Sequence, residues 1–198
     1  MKENNFRGEI FPILECKNDI IRDNNKVLHS LINIIDEIEK EIASFSLKTI
    51  GELIKDSSSK AFNSVLREYS EKKYNTKYPE KRKNCNDFEG VYIFFENKTP
   101  VYIGISRSLV SRLKQHANGN SSSTATLAYL MAKKENSELK SKDFGGKNNK
   151  LRERYKNEVK NLKVFIFPFK KEEYFSLSLL EIMLAIKLTT KWNTFKTH

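Results

Sequence analysis

Two phenols, a guanidinium, an imidazole and a carboxylate stand out in this 198-residue chain by their placement. Tyr92 sits in GVYIFFE and Tyr102 in PVYIGIS, two apolar runs separated by Asn97, Lys98 and Thr99. Arg112 and His116 follow in SRSLVSRLKQH, one helical turn apart. Glu181 lies in LSLLEIMLAIKL, where a carboxylate costs free energy unless a partner or a cation offsets it. Groups of these types bind anions and move protons. The planar fork of Arg112 suits a bidentate oxyanion, and an imidazole titrates near neutrality. A plainer reading exists for each: a hairpin and helix with two incidental tyrosines, and Glu181 as a boundary residue of an apolar helix.

These side chains must be held by few elements. Val91, Ile93 and Phe95 alternate with Tyr92 and Phe94, and Val101, Ile103 and Ile105 alternate with Tyr102 and Gly104, which is the period of a strand. Tyr92 and Tyr102 share a sheet face only if directly paired positions sum to an even number. A two-residue turn pairing Glu96 with Thr99 separates them. The expectation is therefore a three-residue loop, Asn97 to Thr99, that pairs Glu96 with Pro100. Ser106 or Ser108 can cap a helix carrying Leu109, Val110, Leu113 and Ala117 as one apolar stripe. VFIFPF, near residues 162–169, reads as a buried third strand, and a long apolar helix follows it. The fold class expected is α+β: a small three-stranded antiparallel sheet flanked by helices, behind an N-terminal helical module.

Gly90-Val91-Tyr92, Tyr102-Ile103-Gly104 and Arg112 eight residues beyond Gly104 resemble the signature of the GIY-YIG nucleases. His116 resembles the Arg-x-x-x-His variant of some homing and restriction members. Glu181 and Asn193 fall in the order in which that family places a helical glutamate and a later asparagine. Val91 and Ile105 depart mildly from the pattern and touch no proposed catalytic group. The resemblance covers about residue 86 to the C-terminus. It implies a phosphodiester-cleaving site with Tyr92 or Tyr102 as general base, Arg112 on the phosphate, His116 sharing proton transfer, and Asn193 orienting its neighbours. It also implies Glu181 as the anchor of one Mg²⁺ (or Mn²⁺).

Composition agrees with a polyanion partner. The net charge is +11, distributed as −3 over residues 1–71, +5 over 72–85 and +9 over 86–198. Residues 133–171 alone carry 13 basic against 5 acidic side chains. A basic insertion at about 133–161 is thus the first candidate for DNA contact, with Lys133, Lys134, Lys147, Lys150, Arg152 and Arg154 as its cations and Lys114 as a further one on the helix before it. A disordered polar loop would have the same composition. Residues 1–71 read as a helical module and 72–85 as a basic linker. In the module, Leu28, Leu31, Ile35, Ile38, Ile42 and Phe45 recur in steps of three and four. That stripe suits a packed helix or the seam of a homodimer. Thr49 and Glu52 form a capping box. No apolar run reaches bilayer length and no signal-peptide core opens the chain, so the expected location is cytoplasmic. Cys16 and Cys85 make neither a disulfide framework nor a metal cluster. The reading that follows is a metal-dependent DNA endonuclease, restriction-type by His116 and the extra module. A repair or mobile-element nuclease and a non-catalytic nucleic-acid-binding module on the same fold are the alternatives.

Overall fold

A computed structural model describes residues 10–54, 89–147, 149–169 and 177–193, with side chains from Lys26 onward. Residues 55–71 of the expected helical module and the linker at 72–85 lie outside the described residues. The chain divides into two compact units, Met1–Ser44 and Phe45–His198.

The first unit holds one helix, α1 (Ile10–Ser44). Pro12 falls in its first turn, where a missing N–H costs nothing. On the repeating stripe Leu31, Ile35 and Ile38 are buried, joined by Ile34, whereas Leu28 is exposed.

The second unit begins with β1 (Lys48–Thr49) and α2 (Ile50–Ile54), inside the stretch expected to belong to the N-terminal module. The capping box between them forms: Thr49 N–H donates to Glu52 Oε2 at 2.7 Å, and Glu52 N–H donates to Thr49 Oγ1 at 3.2 Å. β2 (Gly90–Glu96), β3 (Thr99–Ser106) and β4 (Lys163–Pro168) complete an antiparallel sheet of order β1-β4-β2-β3. Four strands thus replace the three expected. The fourth is only two residues long, too short for a periodic signal, and it is placed by the capped helix that follows it. β2 lies between β4 and β3 and is buried from Gly90 to Phe95. That double burial explains why its sequence is continuously apolar.

The hairpin differs from expectation in an instructive way. Its turn is two residues, Asn97 and Lys98, with Glu96 paired to Thr99 and Asn97 at φ 58°. A β-bulge between Phe94 and Phe95 then supplies the missing residue, so that Phe94 pairs with Tyr102 and Tyr92 with Gly104. The tyrosines share a face after all, by a bulge and not by an odd loop.

Four helices follow or interrupt the strands: α3 (Leu109–Asn118), α4 (Thr126–Glu135), the single turn α5 (Ser141–Phe144) and α6 (Lys150–Asn161). The described residues of 133–161 therefore fall largely in α4, α5 and α6. α6 buries Arg152, Tyr155, Lys156 and Val159, an i, i+3, i+4, i+7 stripe. Tyr155 and Val159 join the same apolar cluster as Tyr92, Phe94 and Tyr102. Last comes α7 (Leu177–Lys187). No helix among the described residues is long and apolar enough to cross a membrane.

Candidate active site

Two glycines set how closely the strands and the helix approach. At Gly104 a Cβ would land on the phenol of Tyr92, whose ring lies across that position. At Gly90 it would sit 2.5 Å from the Phe167 carbonyl oxygen and 2.8 Å from Leu109 Cδ1, so any side chain there would push α3 off the sheet. Both positions need glycine for space, and neither has positive φ.

α3 then delivers His116 into a cage of rings. Its centroid lies 5.4 Å from Tyr92, 5.2 Å from Phe94 and 5.6 Å from Tyr102, each contact edge-on. The imidazole is fully buried; its Nε2 is 2.8 Å from Tyr92 Oη, and Nδ1 has no hydrogen-bond partner among the described residues. Burial, reinforced by the nearby positive charge of Arg112, holds the His116 pKa well below 6.5, so the ring is neutral at physiological pH. Burial also pushes both phenols up, Tyr92 the further, with the Arg112 guanidinium pulling against it in each case.

Arg112 faces the turn between α3 and α4. Its guanidinium donates to the carbonyl of Ser123 (2.9 Å), to Thr126 Oγ1 (2.9 Å) and, more loosely, to the Thr124 carbonyl (3.4 Å). Thr126 in turn donates to the Ser123 carbonyl at 2.9 Å. These holders of the arginine were not visible in the sequence beyond a polar SSSTAT run. Glu181, half-buried on α7, is close enough to raise both phenol pKa values, and its own carboxyl is raised by burial and lowered by Arg112. Asn193 is a strand mimic: its Oδ1 accepts from Ile103 N–H at 2.7 Å and its Nδ2 donates to Ile103 O at 2.8 Å. With Trp192 N–H donating to Val101 O at 3.0 Å, it closes the free edge of β3 on either side of Tyr102.

The structure thus brings Tyr92, Tyr102, Arg112, His116 and Glu181 together, with Asn193 as brace. It contains no group of three or more His, Cys, Asp or Glu side chains able to hold a metal among the described residues. The donor set at the site is one carboxylate. That set fits a hard divalent cation that keeps most of its waters, and a cation beside Glu181 would offset the burial that disfavours its charge.

The cations proposed for DNA contact separate into two kinds. Lys147 and Lys150 are exposed, as are Lys133 and Lys134; Lys114 is half-buried. Arg152 is only 7% exposed and spends its guanidinium on the carbonyls of Gly146 (2.9 Å) and Phe144 (3.1 Å) and on Glu153. Arg154 pairs with Glu135 and Glu158. Arg152 is therefore a buried brace of the α5–α6 turn.

Fold and site together define a small α+β domain that gathers acid–base and anion-binding side chains against one face of a bulged hairpin. Residues 88–183 match the GIY-YIG catalytic domain. That stretch of the chain carries a GIY-YIG domain, and such domains are generally nucleases. Neither a curated protein nor a solved structure matches the chain.

Proposed function

We propose that this chain is a Mg²⁺-dependent endonuclease that hydrolyses phosphodiester bonds in DNA. The observation that carries the reading is the buried Tyr92–His116 pair at 2.8 Å, on the face shared with Tyr102 and flanked by Arg112 and Glu181. A phenol raised this far is a poor base alone. Paired with a neutral imidazole at Nε2, it becomes a relay: the attacking water gives its proton to Tyr92 Oη as the phenol's own proton passes to His116 Nε2, and the negative phosphate, with Arg112 turned onto it, offsets the burial and the positive charge that keep the free ring neutral. That assigns the relay to Tyr92 and leaves Tyr102 to pack and orient. Arg112 would turn its fork from the Ser123 carbonyl to the scissile phosphate. Glu181 would hold the cation, which when bound supplies positive charge to the phosphate and the leaving oxygen.

Duplex DNA as the substrate, a homodimer for cutting both strands, and a restriction role belong to the same proposal, the last resting on His116 and the extra N-terminal module. Incubating the full chain with supercoiled plasmid, with Mg²⁺ or with a chelator, tests it. Nicked or linear product in Mg²⁺ alone is expected; intact plasmid in both would overturn it.

A further inference from the structure

Beside the braced edge of β3 lies a cavity of about 330 Å³ that the proton relay does not use. Its walls are Val101, Met131 and Leu162, with the aromatic side chains of Trp192 and Tyr155. Val101 is one residue from Tyr102, and both belong to one apolar cluster. Lys134 and Lys191 hold their ammonium groups over the Trp192 ring, at 5.3 and 5.1 Å from its centroid. Glu135 and Glu158 are committed to Arg154, and Glu135 also accepts from Tyr155 Oη at 2.6 Å. Glu96, at the end of β2, lines the same space and carries a hydrogen-bond-accepting carboxylate.

We infer that this cavity receives an unpaired nucleobase of the nucleic-acid substrate, stacked on Trp192. The inference rests on the nuclease reading and adds to its duplex substrate an unpaired base near the cut, in a tail, a bulge or the locally melted stretches that negative supercoiling opens. An aromatic platform flanked by cations is the composition that binds single strands: the π-face takes the base and the ammonium groups take the flanking phosphates. Among the described residues the contacts recorded for these two lysines are cation–π contacts to the indole, which are weak at a solvent-accessible site and readily exchanged for phosphate. The Glu96 carboxylate accepts from an exocyclic or ring N–H, which adenine, cytosine and guanine present and which thymine offers only at N3. A base inside an intact duplex has both faces stacked and cannot enter.

The placement also ties occupancy to chemistry. Trp192 reaches β3 through its backbone N–H, and the next residue, Asn193, grips Ile103. A base pressed onto Trp192 therefore loads the segment that fixes the strand carrying Tyr102.

Trp192 is the sole tryptophan in the chain, so fluorescence excited selectively at the indole, beyond the absorption of the tyrosines, reports on this cavity. The full chain, in chelator so that nothing is cut, is titrated with a single-stranded 12-mer, a tailed duplex and a fully paired duplex. Binding is followed separately by anisotropy of labelled strands. The expected result is quenching by the single strand and the tailed duplex and none by the paired duplex. Trp192→Leu should weaken single-strand binding about tenfold or more, and Trp192→Phe should restore most of it, because stacking needs a ring. Binding without quenching, or equal quenching by the paired duplex, would overturn the base site while leaving the nuclease reading intact. No binding to any strand, with intact plasmid in Mg²⁺, would overturn both.

Discussion

The two sides of the active site are built on opposite electrostatic terms. On one side Tyr92 and His116 are buried at 1% and 0% exposure among aromatic rings, and both are neutral because burial removes the water that would stabilise their ions. On the other, Arg112 and Glu181 are half-exposed and meet their charges with carbonyls and solvent. The dry side can pass a proton without competing with bulk water. The open side can admit a phosphate and a hydrated cation. Neither could do the other's work: an ion pair caged like His116 would cost several kcal/mol in desolvation, and a relay in open solvent would lose its proton.

The largest effect should come from the open side. Glu181→Gln keeps the shape and removes the charge that would anchor the cation. Cleavage is expected to fall by about 10³-fold or more, comparable to losing a principal transition-state contact, while DNA affinity in chelator stays unchanged. Full activity in Mg²⁺ would remove Glu181 from the mechanism. Next comes the dry side, where Tyr92→Phe deletes one oxygen and keeps the ring contacts. A drop of about 10²- to 10⁴-fold is expected, with Tyr102→Phe costing clearly less. If Tyr102→Phe proves the worse of the two, the relay is assigned to the wrong phenol.

How much of this was legible in the sequence follows the same division. Tyr92, Tyr102, Arg112 and His116 are read from short spacings along one hairpin and one helix, because strand and helix periods fix their faces. Even there a turn one residue shorter than expected needed the bulge between Phe94 and Phe95 to restore the face, and a bulge leaves no mark in an alternating pattern. The 133–161 stretch was opaque. Two of the four residues α6 buries are Arg152 and Lys156, so its amphipathic stripe looked polar. Their stems pack and their charged ends find Phe144 O, Gly146 O and Asn120 Oδ1, partners no local pattern brings together, besides the helix neighbour Glu153.

That contrast can be measured. Arg152→Met takes the donor from the buried Phe144 carbonyl and the half-buried Gly146 carbonyl and should cost about 2 kcal/mol in denaturant unfolding, whatever the salt. Replacing the exposed Lys147 and Lys150 by Gln should leave stability within about 0.5 kcal/mol. If they touch DNA phosphates, it should lower the log–log salt slope of binding by about 0.9 per contact. A salt slope altered only by Arg152→Met would reverse the assignment of brace and contact.

The smallest effect is the one that reports most directly on how dry the dry side is. An unfolded histidine takes up a proton as pH falls through about 6.5, whereas folded His116 resists until well below that. In the window between those two values the unfolded state binds more protons, so stability should fall on acidification, by up to about 1.4 kcal/mol per pH unit. Glu181 acts in the opposite sense. Its folded pKa is raised above 4.5, so between that value and its folded pKa the folded state holds the extra proton, and stability rises on acidification there. In chelator, Glu181→Gln should therefore steepen the acid loss, and His116→Phe should flatten it. The other two His residues are His29, in the first unit, and the terminal His198. A His116→Phe variant whose unfolding free energy keeps the wild-type slope between pH 6.5 and 5 would mean that the imidazole is reached by water and titrates normally. The Tyr92 relay would then have no dry partner to hand its proton to.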